Sequence, residues 1–312
     1  MAVFFDFLSL FFLFAVLGLA ADSVVKNIKH IASVFKIRLI FFGILLGLIT
    51  TLPELAVGIN AAISGAPALS VGNLLSGVIV IFGLVLGVSL FLNRQISTDS
   101  KWSVLIPEAA VILSPILLGL DGKYGLLDGL IMIGAYLGLV FYLYQSHLVA
   151  GSAHLEKADK KGLARAIFVS VAGIIFILLA SHWIISITLD LLSYVAVSRL
   201  AIGSLVFAIG TNLPEITIAL TSWRKKASEL SLSHLVSSAF TNILVLGIVA
   251  VINPIFFGFD LPFGLLAAFL GLIVVLFLIF HQSDGKMDRR EGLVLLSVYA
   301  LFLIANLWLL NR

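Results

Sequence analysis

The sequence predicts an all-α integral membrane protein in which ten transmembrane helices form two inverted-topology repeats of five helices, with both termini outside. Three observations lead to this prediction: an apolar composition, basic residues on one side only, and an acidic pentapeptide that occurs twice. Of the 312 residues, 61% are hydrophobic and 11% are charged, whereas soluble domains have about 45–50% apolar and about 25% charged residues. With a mean hydropathy of +1.20, the whole chain is predicted to lie in a membrane.

The composition also restricts the chemistry of any bound ligand. The chain has no cysteine, so it forms neither disulfides nor thiolate metal sites, and a bound ion must be held by oxygen or imidazole. The isoelectric point near 9.1 does not predict nucleic-acid binding, because basic residues of membrane proteins concentrate in cytoplasmic loops. The N-terminal segment MAVFFDFLSLFF lacks a basic region and a cleavage site. It is therefore predicted to be a membrane span and not a signal peptide.

Ten apolar segments reach the length of about 20 residues that a helix needs to cross the hydrocarbon core. In chain order they lie near 3–21, 39–62, 68–92, 103–120, 124–146, 165–188, 200–222, 232–252, 261–281 and 292–310. Short joints, such as SGAPALS after the second segment, predict tight antiparallel pairs. We expect 1–150 to form the first repeat, 151–164 a cytoplasmic connecting loop, and 165–312 the second repeat.

The distribution of basic residues supports the count of ten. Sixteen of the 19 Lys and Arg residues fall at joints that follow odd-numbered segments. They are Lys26, Lys29, Lys36, Arg38, Arg94, Lys101, Lys157, Lys160, Lys161, Arg165, Arg224, Lys225, Lys226, Lys286, Arg289 and Arg290. The opposite side holds Lys123, Arg199 and Arg312. Because cytoplasmic loops are rich in Lys and Arg, this pattern predicts outside termini, and we expect a plasma-membrane location.

The repeated pentapeptide indicates how the two halves are related. TTLPE spans Thr50–Glu54 and TNLPE spans Thr211–Glu215, and the same shift of 161 residues places Ser70 on Ser231 without a gap. The two copies lie five predicted spans apart, so they cross the membrane in opposite directions. Inverted repeats of this kind are typical of secondary transporters, which bind substrate near the midplane at the repeat interface.

Each pentapeptide combines a helix-breaking proline with a carboxylate. Pro53 and Pro214 have no N–H, and their rings clash with the preceding turn, so carbonyls around 47–50 and 208–211 are expected to lose their helical partners. Released carbonyls bind cations where they line a cavity. Further oxygens nearby come from Thr50, Thr51, Thr211 and Asn212.

Glu54 and Glu215 are the predicted centre of this site. An acidic residue in a span costs about 2.5–3.5 kcal/mol and usually marks an ion or proton path. A symmetric pair makes an incidental structural role a poor explanation. Two carboxylates with carbonyl and hydroxyl oxygens suit calcium, which takes six to eight oxygen ligands at about 2.3–2.6 Å.

These residues resemble the calcium/cation antiporter superfamily, which includes the sodium/calcium exchangers. Each of its repeats carries a G-T-S-x-P-E type element followed by a G-N-x-x-G-S-N-x-x-N/D type element. The first elements here are LITTLPE (48–54) and IGTNLPE (209–215), and the second are GNLLSGVIVI (72–81) and SHLVSSAFTN (233–242). The resemblance implies an antiporter that exchanges calcium, or a related divalent cation, for sodium by alternating access. It further implies a monomer in the lipid bilayer whose partners are inorganic cations, with Ca²⁺ and Na⁺ (or H⁺) transported and no resident cofactor.

The resemblance assigns cation ligands by position: Glu54, Glu215, Thr50, Thr51, Thr211, Asn212, Ser238 and Asn242. Among these, Glu54 and Glu215 would be the main calcium carboxylates, and Thr50 and Thr211 would complete the metal-binding set through carbonyl and hydroxyl oxygens. Asn73 and His234 occupy equivalent positions beside the ligands. The ordinary imidazole pKa of ~6.5 would suit a role for His234 in coupling, and the alternative is a purely structural polar residue.

The chain departs from the family pattern at several positions. Asn242 stands where many relatives have Asp, and the repeat-one equivalents of Ser238 and Asn242 are Gly77 and Ile81, which have no side-chain oxygen. The resemblance therefore implies that a sodium site flanking the calcium position is weakened. The cation/proton branch carries an acidic residue in a G-N-x-x-E element, and here that repeat-one position is Ser76. The motifs leave the coupling ion open.

Three alternatives to sodium/calcium exchange remain at this stage. Coupling to protons is possible because buried carboxylates can carry protons themselves. A degenerate, non-transporting family member is compatible with Gly77 and Ile81. An intramembrane enzyme would use Glu54 and Glu215 as acid and base, but the sequence has no H-E-x-x-H motif, aspartyl pair or cysteine. We therefore predict that the protein is not an enzyme.

Overall fold

The computed structural model describes residues 2–35, 48–98, 101–145, 162–194, 198–216, 228–282 and 285–310. The helices of the first half are α1 (Ala2–Val34), α2 (Leu52–Ile63), α3 (Ala68–Asn93), α4 (Trp102–Leu118) and α5 (Leu126–Gln145). Those of the second half are α6 (Leu163–Tyr194), α7 (Arg199–Thr211), α8 (Ser228–Ile252), α9 (Leu261–Gln282) and α10 (Arg289–Leu310). Four short strands are β1 (Gln95–Ser97), β2 (Lys123–Tyr124), β3 (Ile255–Phe256) and β4 (Lys286–Asp288).

The predicted all-α membrane class is confirmed, apart from these two- and three-residue strands. Eight helices in the described ranges are long and apolar enough to cross a membrane, and the shorter α2 and α7 coincide with the second and seventh predicted spans. Parts of those two spans (39–47 and 217–222) and most of the connecting loop (151–161) lie outside the described residues. The count of ten spans, the repeat boundaries and the location of the termini stay predictions.

The prediction for the first span was wrong at its C-terminal end. Instead of ending near residue 21, α1 has 33 residues, and its counterpart α6 has 32. At 1.5 Å per residue each is about 50 Å long, well above the hydrocarbon thickness of about 30 Å. Lys26 therefore lies within a helix and not in a joint. The helix continues because Val24 stays fully buried against α6, where a Cβ on Gly173 would lie 2.5 Å from its Cγ2.

Corresponding elements of the two halves are related by nearly the same shift of 161 residues as the pentapeptides. α1 begins at Ala2 and α6 at Leu163, and each half has a strand after its third helix and another before its fifth. β1 pairs antiparallel with β4, and β2 pairs antiparallel with β3. Each two-stranded sheet thus joins one half to the other, which is the arrangement that an internal two-fold relationship would produce.

A helix interruption lies just before each of the two prolines. Thr51 has φ −90° and ψ 11°, and Asn212 has φ −83° and ψ 11°, so the backbone bends in nearly the same way in both halves. Helical structure resumes at Leu52 and Leu213. Because these residues immediately precede Pro53 and Pro214, each proline occupies the first turn of a helix, where its missing N–H has no helical acceptor to lose.

Glycines bring the interrupted helix α7 against the buried helix α3. A Cβ on Gly72 of α3 would lie 2.1 Å from the carbonyl oxygen of Leu200, and a Cβ on Gly203 of α7 would lie 2.3 Å from that of Leu69. The backbones of α3 and α7 are therefore in direct contact. Within α7, Gly203–Phe207 forms a π-helical turn, and such turns are frequent at functional sites.

Candidate functional site

Glu54 and Glu215 lie near each other in the interior of the protein. Their exposed fractions are 1% and 0%, and the two carboxylates are close enough to interact electrostatically. Glu54 stands in the first turn of α2, where the partial positive charge of a helix N-terminus favours an anion. Two adjacent buried carboxylates repel one another and are costly to remove from water. A bound cation would offset both costs.

The two carboxylates have different hydroxyl partners. The Ser238 hydroxyl of α8 donates to Glu215 Oε1 at 2.9 Å. Glu54 instead interacts with the side chain of Thr211, which belongs to the other half of the chain. In both glutamates, Oε2 is buried without a hydrogen-bond partner. In each carboxylate, therefore, Oε2 is the oxygen that remains available to a ligand.

Thr211 also connects the pentapeptide to α3. Its hydroxyl lies 3.0 Å from Asn73 Oδ1 and 3.1 Å from the carbonyl oxygen of Phe207. Because a threonine hydroxyl carries one proton, it can satisfy only one acceptor at a time. Its lone pairs remain available to a cation. Asn73 thus lies beside Thr211 and links α3 to α7.

Asn212 and Asn242 both direct their amide nitrogens at backbone carbonyls. Asn212 Nδ2 donates to the carbonyl of Ala208 at 2.8 Å, and Asn242 Nδ2 donates to that of Leu74 at 3.3 Å. The oxygen of each amide is buried without a hydrogen-bond partner. Unpaired buried polar atoms are uncommon in native proteins. Two carboxylate and two amide oxygens are in this condition, and oxygens of these two kinds are ligands of hard cations.

The carbonyls at the helix breaks are partly used by the protein itself. Leu48 O accepts the Thr51 hydroxyl at 3.2 Å, just as Ala208 O accepts the Asn212 amide. Thr50 and Thr51 are 0% and 1% exposed. The expectation that all carbonyls around 47–50 and 208–211 serve a cation is therefore too broad, although a carbonyl oxygen has a second lone pair.

Gly77 and Ile81 are the repeat-one positions without a side-chain oxygen. Amide groups surround Gly77, and apolar residues surround Ile81. Ile81 is fully buried within the main core, which also contains the apolar residues of α8. Beside Gly77 stand the amide nitrogens of Asn212 and Asn242, which would lie 3.2 and 2.8 Å from a Cβ at that position. In the described part of the chain, no three His, Cys, Asp or Glu side chains lie close enough together to bind one metal ion. The site therefore has two carboxylates.

Further buried polar side chains lie on the helices around the site. His234 stands one turn before Ser238 on α8, and its ring nitrogens are buried with no hydrogen-bond partner. Ser76 and Ser204 are buried hydroxyls in the same condition, on α3 and α7. Sequence analysis missed Ser204, because one serine in an apolar span gives no signal.

The family model for the sodium/calcium exchanger protein family matches residues 5–145 and 165–308. The inner membrane protein YrbG of Escherichia coli is 25% identical over 312 residues, which cover 93% of each chain. The sodium/calcium exchanger MaX1 of Methanosarcina acetivorans is 26% identical over 144 residues, 46% of this chain and 41% of that protein.

Two solved structures show the same fold. The sodium-calcium exchanger NCX_Mj superimposes with a TM-score of 0.67 and 21% identity, covering 96% of this chain and 98% of that chain. The H⁺/Ca²⁺ exchanger CAX superimposes with a TM-score of 0.76 and 15% identity, covering 98% and 87%. The helical membrane fold, the buried pair of glutamates and the family match over both halves lead to one conclusion: the chain belongs to the sodium/calcium exchanger protein family.

Proposed function

We propose that the protein is a secondary active antiporter that exchanges calcium, or a related divalent cation, for sodium by alternating access at Glu54 and Glu215. One observation carries the proposal. Both carboxylates are buried, close enough to interact electrostatically and related by the internal shift, and each leaves an oxygen without a partner. The amide oxygens of Asn212 and Asn242 are in the same condition, and carboxylate and amide oxygens are the ligands that a hard cation such as calcium takes.

The packing of α1 and α6 supports alternating access around this site. The two long helices contact each other extensively. Phe14 of α1 packs on Gly210, where a Cβ would meet its ring at 2.3 Å, and Ser181 of α6 accepts a 2.7 Å hydrogen bond from Asn60 of α2. The pair thus touches both interrupted helices, and we propose that it slides past them. Ten spans, a monomer and outside termini belong to the same proposal.

Proton coupling is the second candidate, and a specific observation favours it. The two positions that would furnish oxygens in repeat one, Gly77 and Ile81, have none, which weakens a flanking sodium site. Protons need no such ligands, because Glu54 and Glu215 can accept them directly.

The test is calcium flux in proteoliposomes of known orientation. ⁴⁵Ca²⁺ uptake is driven separately by a sodium gradient and by a pH gradient. Glu54→Gln and Glu215→Gln keep the shape of the side chain and remove its charge, so each should abolish uptake. Asn306→Ala serves as the control, because this buried amide of α10 donates to Phe302 O of its own helix at 2.9 Å.

Each outcome selects one candidate. Glutamate-dependent uptake under the sodium gradient supports sodium/calcium exchange, and uptake under the pH gradient alone supports proton coupling. Absence of glutamate-dependent uptake under both gradients contradicts calcium transport and favours a degenerate, non-transporting member.

A further inference from the structure

Two amide nitrogens from the second half of the chain lie close to Gly77 of α3. A Cβ at this position would lie 2.8 Å from Asn242 Nδ2 and 3.2 Å from Asn212 Nδ2. Contacts below 3.0 Å are not tolerated without movement of a neighbour, so even alanine would displace the Asn242 amide. The absence of a side chain at Gly77 is therefore what lets both amides approach α3.

The orientation of the two amides is fixed by hydrogen bonds. Asn242 Nδ2 donates to Leu74 O, one turn before Gly77 on the same helix, and Asn212 Nδ2 donates to Ala208 O. The NH₂ group of an amide is a donor only, and its hydrogens carry the partial positive charge. The space beside Gly77 is consequently lined by donors, while the amide oxygens are left for the cation that the carboxylates bind.

The equivalent position in the other repeat is different. Ser238 corresponds to Gly77 under the shift of 161 residues, and its hydroxyl contacts Glu215 at 2.9 Å. Asn242 corresponds to Ile81, which is buried in the apolar core. Repeat two therefore supplies a side-chain oxygen at both of these positions, and repeat one supplies none.

The number of carboxylates in the site sets the cation charge that it neutralises. The site holds two carboxylates, and no third acidic or histidine side chain clusters with them in the ranges that the structure describes. A formal charge of minus two is neutralised by one divalent cation or by two monovalent cations. A further cation beside Gly77 would face the amide N–H groups of Asn212 and Asn242, which offer it no ligand.

We propose that Gly77, by admitting the amides of Asn212 and Asn242, closes the repeat-one flank to cations and makes the exchange electroneutral. This inference rests on the proposed exchange function and holds for either coupling ion, because two Na⁺ and two H⁺ carry the same charge as one Ca²⁺. Gly77 is a positioning residue in this scheme: it acts through the asparagines and touches no cation itself.

The first experiment measures the Ca²⁺ gradient at which net flux stops. Purified protein in proteoliposomes is given a fixed gradient of the coupling ion, with the membrane potential held at zero or at about 100 mV by potassium and valinomycin. A potential of about 100 mV would change the final Ca²⁺ ratio roughly fifty-fold for each net charge moved per cycle. Electroneutral exchange predicts the same ratio at both potentials.

Substitutions test the role of the glycine and the amides. Gly77→Ala should lower the apparent Ca²⁺ affinity about five- to tenfold, because it breaks the hydrogen bond that orients Asn242. Gly83→Ala is the matched control on the same helix, since a Cβ there would meet Tyr299 Cβ at 2.9 Å. Asn242→Asp adds a third negative charge and should make the final ratio depend on potential.

The results separate this inference from the function on which it rests. A final Ca²⁺ ratio that changes with potential in the unaltered protein overturns electroneutrality and leaves calcium exchange standing. Equal losses of affinity in Gly77→Ala and Gly83→Ala overturn the positioning role. Absence of Ca²⁺ flux under both gradients removes the proposed function and this inference together. A constant ratio, with affinity lowered only by Gly77→Ala, supports both.

Discussion

At the scale of single residues, the two glutamates of the site are held by different hydrogen-bonding partners. Glu215 is held by Ser238 from its own half, whereas Glu54 interacts with Thr211 from the opposite half. Symmetric glutamates thus stand in asymmetric surroundings. The cause is local: Gly77 occupies the position that corresponds to Ser238, so Glu54 has no equivalent hydroxyl on α3 and takes its contact from α7.

Removing the Ser238 hydroxyl should weaken cation binding. The hydrogen bond to Glu215 Oε1 is buried and involves a carboxylate, and such bonds contribute about 1.5–3 kcal/mol. Ser238→Ala should therefore lower the Ca²⁺ affinity about tenfold or more in an equilibrium binding assay on detergent-purified protein. Ser89→Ala is the control, because this serine of α3 is buried with no partner for its hydroxyl. Equal affinities in the two variants would contradict the role given to Ser238.

At the scale of helices, proline and glycine set the architecture. The prolines lie just after the breaks at Thr51 and Asn212, which share nearly the same backbone angles. Glycines at 72 and 203 let α3 and α7 touch through their backbones. The breaks expose polar groups in the interior, and the close crossing brings polar groups of two helices to the same place. Neither feature alone would assemble the site.

The contact between α1 and α6 should be sensitive to one added carbon. A Cβ on Gly173 would lie 2.5 Å from Val24 Cγ2, whereas nothing lies within 4 Å of the Cβ position of Gly138 on α5. Gly173→Ala should destabilise the protein by about 1–3 kcal/mol through overpacking. Gly138→Ala should be neutral or stabilising by up to about 1 kcal/mol, because alanine favours helix. Thermal unfolding in detergent measures both, and a smaller loss in Gly173→Ala than in Gly138→Ala would refute the close packing.

At the scale of the whole molecule, the two small sheets mark opposite ends. Basic residues gather at the end of β1 and β4, where Lys286 lies in β4 and Arg289 follows it with its guanidinium 3.9 Å from the centre of the Phe91 ring. The other sheet, β2 with β3, is flanked by Asp121 and Asp260. By the positive-inside rule the β1–β4 end is expected to face the cytoplasm.

This orientation can be measured because the chain has no cysteine, so a single introduced cysteine is a unique probe. Lys286→Cys and Lys123→Cys place it on exposed strand residues of the two sheets. In intact cells, a membrane-impermeant maleimide should label Lys123→Cys and leave Lys286→Cys unlabelled until the membrane is opened. Labelling of both before lysis, or the reverse pattern, would contradict the predicted orientation.

The sequence alone determined the membrane class, the family resemblance and the choice of Glu54 and Glu215 as the candidate site, because these follow from composition and from residues repeated at a fixed shift. It could not determine the length of α1, which continues past residue 21 where Val24 packs on Gly173 of α6. Nor could it determine what surrounds Gly77. Asn212 and Asn242 are 135 and 165 residues away in the chain, and only the crossing of helices from both halves brings their amides to that glycine.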